Sequence, residues 1–183
     1  MSERRSARIV SVAIGSVLVA LLLVLLNASP NPSENADSPL LGQPAPAMET
    51  TTLNNEQFNL ARRKGSWVIL NFFNSTCVPC RNEHPFLLSF AARQALAPNP
   101  AELYTVINDD SDGAVAAYFE EFGGDWPKLR DQNGAIAISY GLAKVPETWI
   151  IDPNGYVRLR IAGQLSDGLL DEQLSALKAS FGL

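Results

Sequence analysis

An α/β sandwich around a mixed β-sheet is the fold class this sequence predicts, on three observations. The run WVILNFF (67–73) lies between Gly65-Ser66 and Asn74-Ser75, as a strand buried on both faces does. A helical stretch and then a second strand candidate, ELYTVIN (102–108), follow it. The last third changes to a hairpin pattern and closes in an amphipathic helix.

Taken in order, the chain begins with Arg4, Arg5 and Arg8, followed by 18 uncharged positions from Ile9 to Leu26. As a helix these would span roughly 27 Å, close to the ~30 Å hydrocarbon thickness of a bilayer. The next basic residue is Arg62, so the positive-inside rule keeps the N-terminus in the cytoplasm and exports the rest. A cleaved signal peptide is the rival reading. Its apolar region is shorter, about 7–15 residues, and Leu26-Asn27-Ala28 is a poor cleavage site. The expected organisation is a cytoplasmic N-terminus (1–8), a transmembrane signal anchor (9–26), a polar, proline-rich flexible linker (27–39) and one domain (40–183).

Within that domain Asn54-Asn55 suits a small hairpin turn. A helix is expected from near Cys77 towards Ala97, closed by Pro98 and Pro100. Asp112 is a good N-cap for a helix through Phe122, and a short helix over Ala135 to Tyr140 stops at Gly141. TWIID (148–152), the turn Pro153-Asn154-Gly155 and YVRLRIAG (156–163) read as a hairpin. In its second arm Val157, Leu159 and Ile161 alternate with Arg158 and Arg160, which predicts one buried and one wet face. Leu170, Leu174, Leu177 and Phe181 recur at helical spacing and form a core stripe.

Charge narrows the partners. With Arg4, Arg5, Arg8 and Glu3 set aside, 14 basic and 19 acidic residues become 11 and 18, a net charge of −7. No basic block interleaved with aromatics is present, so nucleic acid is not an expected partner.

Cys77 and Cys80 are the two cysteines of the chain, and three readings apply to them. A zinc site wants four ligands, and here His84 is the single histidine with no second Cys or His pair. A copper-binding metallochaperone using Cys77, Cys80 and His84 remains the alternative from a different class. A structural disulfide closing so short a loop removes little unfolded-state entropy. The redox reading uses the spacing. A strand feeding a helix puts Cys77 at the helix N-terminus, where unpaired amides and the dipole favour a thiolate. Cys80 lies one turn inside as the resolving sulfur, and Pro79 is tolerated in the first turn. Glu83 shares the helical face of Cys80 and is either a proton carrier or a solvated glutamate. Pro85 should kink the helix, and His84 reads as a packed or exposed side chain rather than a base.

These residues resemble a thioredoxin fold, and within it the membrane-anchored thiol–disulfide oxidoreductases of cytochrome c maturation, the TlpA/ResA/CcmG (DsbE) group. LGQPAPAMETTTLN resembles the entry segment of that family, and VILNFFNSTCVPCRNEHP resembles its strand, active site and kinked helix. YGLAKVPETWIIDPNGYVRLRIAG resembles the segment carrying its cis-proline. The resemblance implies a thioredoxin-like three-layer sandwich behind an N-terminal transmembrane helix. It implies Pro146 as the cis-proline, with the backbone of Val145 pairing an extended client, and Glu147 as a family glutamate. Asn71 stands where thioredoxin has a buried aspartate, which strengthens Glu83 as the acid–base group. Thr76 departs from the family's tryptophan and makes the rim of Cys77 smaller and more polar.

The function so implied is extracytoplasmic disulfide reduction through a Cys77/Cys80 dithiol, on the outer face of a bacterial cell membrane. No cofactor is expected beyond the redox-active disulfide. The implied partners are a protein disulfide such as apocytochrome c and a membrane thiol reductant of the CcdA/DsbD type. General disulfide reduction or oxidation unrelated to cytochrome c remains an alternative.

Overall fold

The apolar run at the centre of the sequence becomes the centre of the sheet. The computed structural model describes residues 13–24 and 34–181, which fall into two units, Met1–Asn31 and Pro32–Leu183. In the first unit residues 13–24 form a helix, α1, whose apolar side chains are exposed. The expected cytoplasmic residues 1–8, positions 9–12 and 25–26 of the expected anchor, and 27–33 of the linker lie outside the described residues. No helix among the described residues is long and apolar enough to cross a membrane.

The second unit holds strands β1 (Glu34–Asn35), β2 (Glu49–Thr51), β3 (Gln57–Asn59), β4 (Val68–Phe73), β5 (Glu102–Ile107), β6 (Lys128–Arg130), β7 (Glu147–Ile151) and β8 (Val157–Ala162). Its helices are α2 (Val78–Ala95), α3 (Asp112–Phe122), α4 (Ala135–Tyr140) and α5 (Leu169–Ser180). Six strands form one sheet in the order β1-β8-β7-β4-β5-β6, and β2 and β3 form a separate hairpin. β4–β5 and β5–β6 are parallel, whereas β4–β7, β7–β8 and β8–β1 are antiparallel. The mixed sheet is thus the one the strand–helix–strand and hairpin patterns imply.

Strand alternation sorts the core into layers. Val68, Leu70 and Phe72 of β4 join Tyr104, Trp149, Ile136 and Tyr140 in a core that includes α4 and the β2–β3 hairpin. Ile69 points the other way, towards Leu87 and Phe90 of α2 and Leu170 and Leu174 of α5. Phe73 at the strand end meets Cys80, Ile107, Val115 and Tyr118, so α3 closes that end.

Four local expectations are corrected. The helix from the cysteines ends at Ala95 rather than Ala97, because its last turn tightens and the N–H groups of Leu96 and Ala97 donate to Arg93 O and Gln94 O. The N-cap of α3 is Ser111, whose Oγ accepts the Ala114 N–H, while Asp112 is free to pair with Arg130. Residues 34–35, placed by composition in the flexible linker, pair with β8, and Ala36 N–H donates to Arg160 O. The face of β8 expected to be wet is half-buried, because Arg158 and Arg160 lie over the buried carboxylates of Asp152 and Glu147. The short strand β6 carried no apolar signal long enough to announce it.

Candidate active site

The end of β4 and the start of α2 bring the two cysteines together for local reasons. Asn74 and Ser75 leave the strand in a loop held by Asn74 Nδ2, which donates to Asn108 O and Asp109 O, and by Ser75 N–H, which donates to Asp110 Oδ2 at 2.6 Å. Asn74 Oδ1 accepts both the N–H and the hydroxyl of Thr76, at 2.9 and 2.7 Å. The loop hands the chain to α2 with Cys77 as its N-cap in extended conformation and Pro79 in the first turn, where no amide is missed.

Cys77 and Cys80 form a disulfide with Cα atoms 5.3 Å apart. Their environments differ. Cys77 is half-buried and its Sγ accepts the Cys80 N–H at 3.2 Å, whereas Cys80 is 1% exposed within the Phe73–Tyr118 cluster. Cys77 is therefore the more accessible sulfur of the pair. The exposed neighbours on this rim are Thr76, Val78 and Pro79.

About one helical turn along α2 from Cys80 lies a buried polar group that the spacing alone did not define. Glu83 is fully buried, which removes its reading as a solvated glutamate. Its Oε1 accepts Asn71 Nδ2 at 2.8 Å, and its Oε2 accepts the Leu165 N–H at 2.7 Å. Asn71 Nδ2 also reaches Thr148 Oγ1 at 3.1 Å, while Asn71 Oδ1 is buried without a partner. Burial pushes the Glu83 carboxyl up from 4.5 to about 7, against the two hydrogen bonds that lower it. A carboxyl in that range can take or return a proton near neutral pH.

Pro146 is buried, the Val145–Pro146 peptide is cis, and Val145 packs on the same cluster as Cys77 and Cys80. Among the described residues neither the N–H nor the C=O of Val145 makes a backbone hydrogen bond. That peptide edge is thus unsatisfied by the backbone of the chain itself.

His84 is packed. Its ring contacts Tyr118, Phe119 and Trp126, its Nε2 lies 3.1 Å from Gly123 O, and desolvation lowers its pKa. Among the described residues no three His, Cys, Asp or Glu side chains converge as a metal-binding group. Pro85 is exposed inside α2, which continues through it. Sequence reasoning did not single out Thr148 or Leu165 as neighbours of Glu83, since both approach from elements distant in the chain. It took Arg160 for a solvated face residue, although the arginine pairs with Glu147 at 2.7 Å.

Residues 41–160 match the AhpC/TSA family. Over 182 residues the chain is 30% identical to the thiol:disulfide interchange protein DsbE of Escherichia coli (strain K12), covering 95% of this chain and 94% of that protein. It is 30% identical over 143 residues to the thiol:disulfide interchange protein HelX of Rhodobacter capsulatus, covering 76% and 78%. A solved thiol:disulfide interchange protein of the thioredoxin family from Chlorobium tepidum superposes with a TM-score of 0.64 at 24% identity, covering 75% of this chain and 95% of that one. That last likeness is one of fold.

Proposed function

The chain belongs to the AhpC/TSA family and is a thiol–disulfide oxidoreductase of thioredoxin-like fold; from that premise we propose that it reduces disulfides of exported clients, an apocytochrome c among them. The observation that carries the reading is the asymmetry of the pair, a reachable Cys77 at a helix N-terminus backed by a buried Cys80 and a buried Glu83.

In the reduced protein the Cys77 thiolate attacks one sulfur of the client disulfide. The client S–S bond breaks, its other sulfur leaves as a thiolate and takes a proton, and a mixed disulfide joins client and Cys77. Cys80 gives its proton to the Glu83 carboxylate and attacks Cys77 Sγ, and the client's second sulfur leaves and is protonated in turn. The client gains two electrons and two protons, and the chain is left as the Cys77–Cys80 disulfide. Val145 pairs the client backbone beside Pro146, and Thr76 contributes a small polar rim in place of a broad aromatic surface.

A membrane thiol reductant of the CcdA/DsbD type then restores the dithiol, as a reductase in an oxidising compartment requires. The same reading places residues 9–26 in the membrane as an uncleaved single-pass anchor, with the domain on the extracytoplasmic side. Likeness to the thiol:disulfide interchange proteins DsbE and HelX supports the redox chemistry.

The decisive experiment is Cys80→Ser in the native host, followed by identification of whatever is disulfide-linked to Cys77. An apocytochrome c is the expected catch. Capture of nothing, with a wild-type protein inert to dithiol exchange, overturns the catalytic reading. A redox titration gives direction: a reductase lies towards roughly −270 mV, an oxidase towards roughly −120 mV.

A further inference from the structure

Glu147, immediately after Pro146, is 1% exposed, and its carboxylate faces two elements at once. Its Oε1 accepts the Ala143 N–H at 3.3 Å and Arg160 Nη2 at 2.7 Å, while its Oε2 accepts Arg160 Nε at 3.0 Å. The loop leading to Val145 is therefore tied by a side chain to β8. Arg160 in turn lies over the Trp149 ring, 5.4 Å from its centroid, and Nη1 donates to Asp37 O at 3.0 Å. Backbone bonds add to the frame, because Gly163 N–H donates to Pro146 O and Ala36 N–H to Arg160 O. The chain is thus held at Ala143 N–H before Val145 and at Pro146 O after it, while the N–H and C=O of Val145 make no backbone bond among the described residues. A two-pronged arginine–carboxylate pair fixes orientation as well as distance, which a lysine's point charge does not.

We propose that Glu147 and Arg160 are positioning residues that hold the 141–145 loop so that the free peptide edge of Val145 meets a client backbone in register with Cys77. The proposal rests on the client-reduction reading above. It separates two effects that a general loss of stability would merge. Client affinity depends on the loop, whereas the cysteine chemistry depends on the N-terminus of α2. Neither Glu147 nor Arg160 touches the sulfurs.

The test uses the chain in detergent, reduced and freed of reductant, in single turnovers with two probes, so that KM and kcat denote the half-saturating probe concentration and the limiting rate constant for oxidation of the dithiol. One is an oxidised Cys-Ala-Ala-Cys-His peptide, and the other is bis(2-hydroxyethyl) disulfide, which has no peptide backbone to pair. Glu147→Gln and the neutral pair Glu147→Gln/Arg160→Met are expected to raise KM for the peptide about tenfold. Their kcat, and the rate constant with the small disulfide, are expected to stay within about twofold. Arg160→Lys, which keeps the charge but loses the fork, is expected to fall between wild type and the neutral pair. If the neutral pair does not fold, Arg160→Lys and Glu147→Gln carry the comparison at matched thermal stability. Unchanged KM across the series, or a parallel loss with both probes, overturns the positioning role. A wild-type protein that exchanges with the small disulfide but leaves the peptide oxidised overturns the client reading itself, and the proposal falls with it.

Discussion

At the scale of single residues, Glu83 carries a measurable consequence of burial. Its carboxyl is raised from 4.5 to about 7, so the folded protein holds a proton that the unfolded chain releases. A raised folded value means the protonated state's stability is fully present below pH ~4.5 and is lost as pH rises through about 7. The loss is about 3 kcal/mol, taken from the size of the shift. Urea unfolding of the oxidised protein at pH 5 and pH 8.5 should show this decline, and Glu83→Gln should flatten it. Asn71 suits both charge states, because Nδ2 donates to the carboxylate while the unpartnered Oδ1 can accept from a carboxylic acid after an amide flip. The same substitution should abolish an apparent pKa near 7 in the rate at which Cys80 resolves the mixed disulfide. A profile identical to wild type would remove Glu83 from the proton path.

At the scale of elements, α2 matters through its first turn. Cys77 caps the helix, and its sulfur accepts an amide hydrogen bond from Cys80. A negative sulfur in that position is stabilised by the same orphan amides and by the dipole, by about 1–2 kcal/mol. The Cys77 thiol in Cys80→Ser should therefore titrate below the free value of ~8.5. The pH dependence of its alkylation by iodoacetamide measures this, and a value of 8.5 or above would mean that the cap does not activate it. Caps also explain one miss at this scale. Ser111 and Asp112 are both competent N-caps, and the choice of Ser111 follows from Arg130, which pairs with Asp112 from another strand.

At the scale of the whole unit, the sheet begins earlier than the composition of the chain suggests. β1 covers the β8 edge, Ala36 N–H donates to Arg160 O, and Arg160 donates to Asp37 O. A chain beginning at Leu40 should unfold about 2 kcal/mol more easily than one beginning at Pro32, since these bonds are lost and a strand edge is opened. Equal urea midpoints for the two would show that the edge contributes nothing to stability.

The sequence by itself determined the central strand, the helix that starts at the cysteines, the closing hairpin and the terminal amphipathic helix. Each is written in a local pattern, either an apolar period or a cap and turn signal. It also determined which sulfurs could exchange, because C-x-x-C after a buried strand is a local arrangement. The tertiary structure alone decided the setting of those sulfurs. Glu83 read equally well as a surface residue until β4, β7 and the segment after β8 enclosed it with Asn71, Thr148 and Leu165. Arg160 followed the alternation of a wet strand face, yet its charge is drawn under the chain by a buried carboxylate 13 residues away. A charge's partner lies at long range in sequence, and the desolvation that sets its proton affinity comes from the packed neighbours rather than from its own segment.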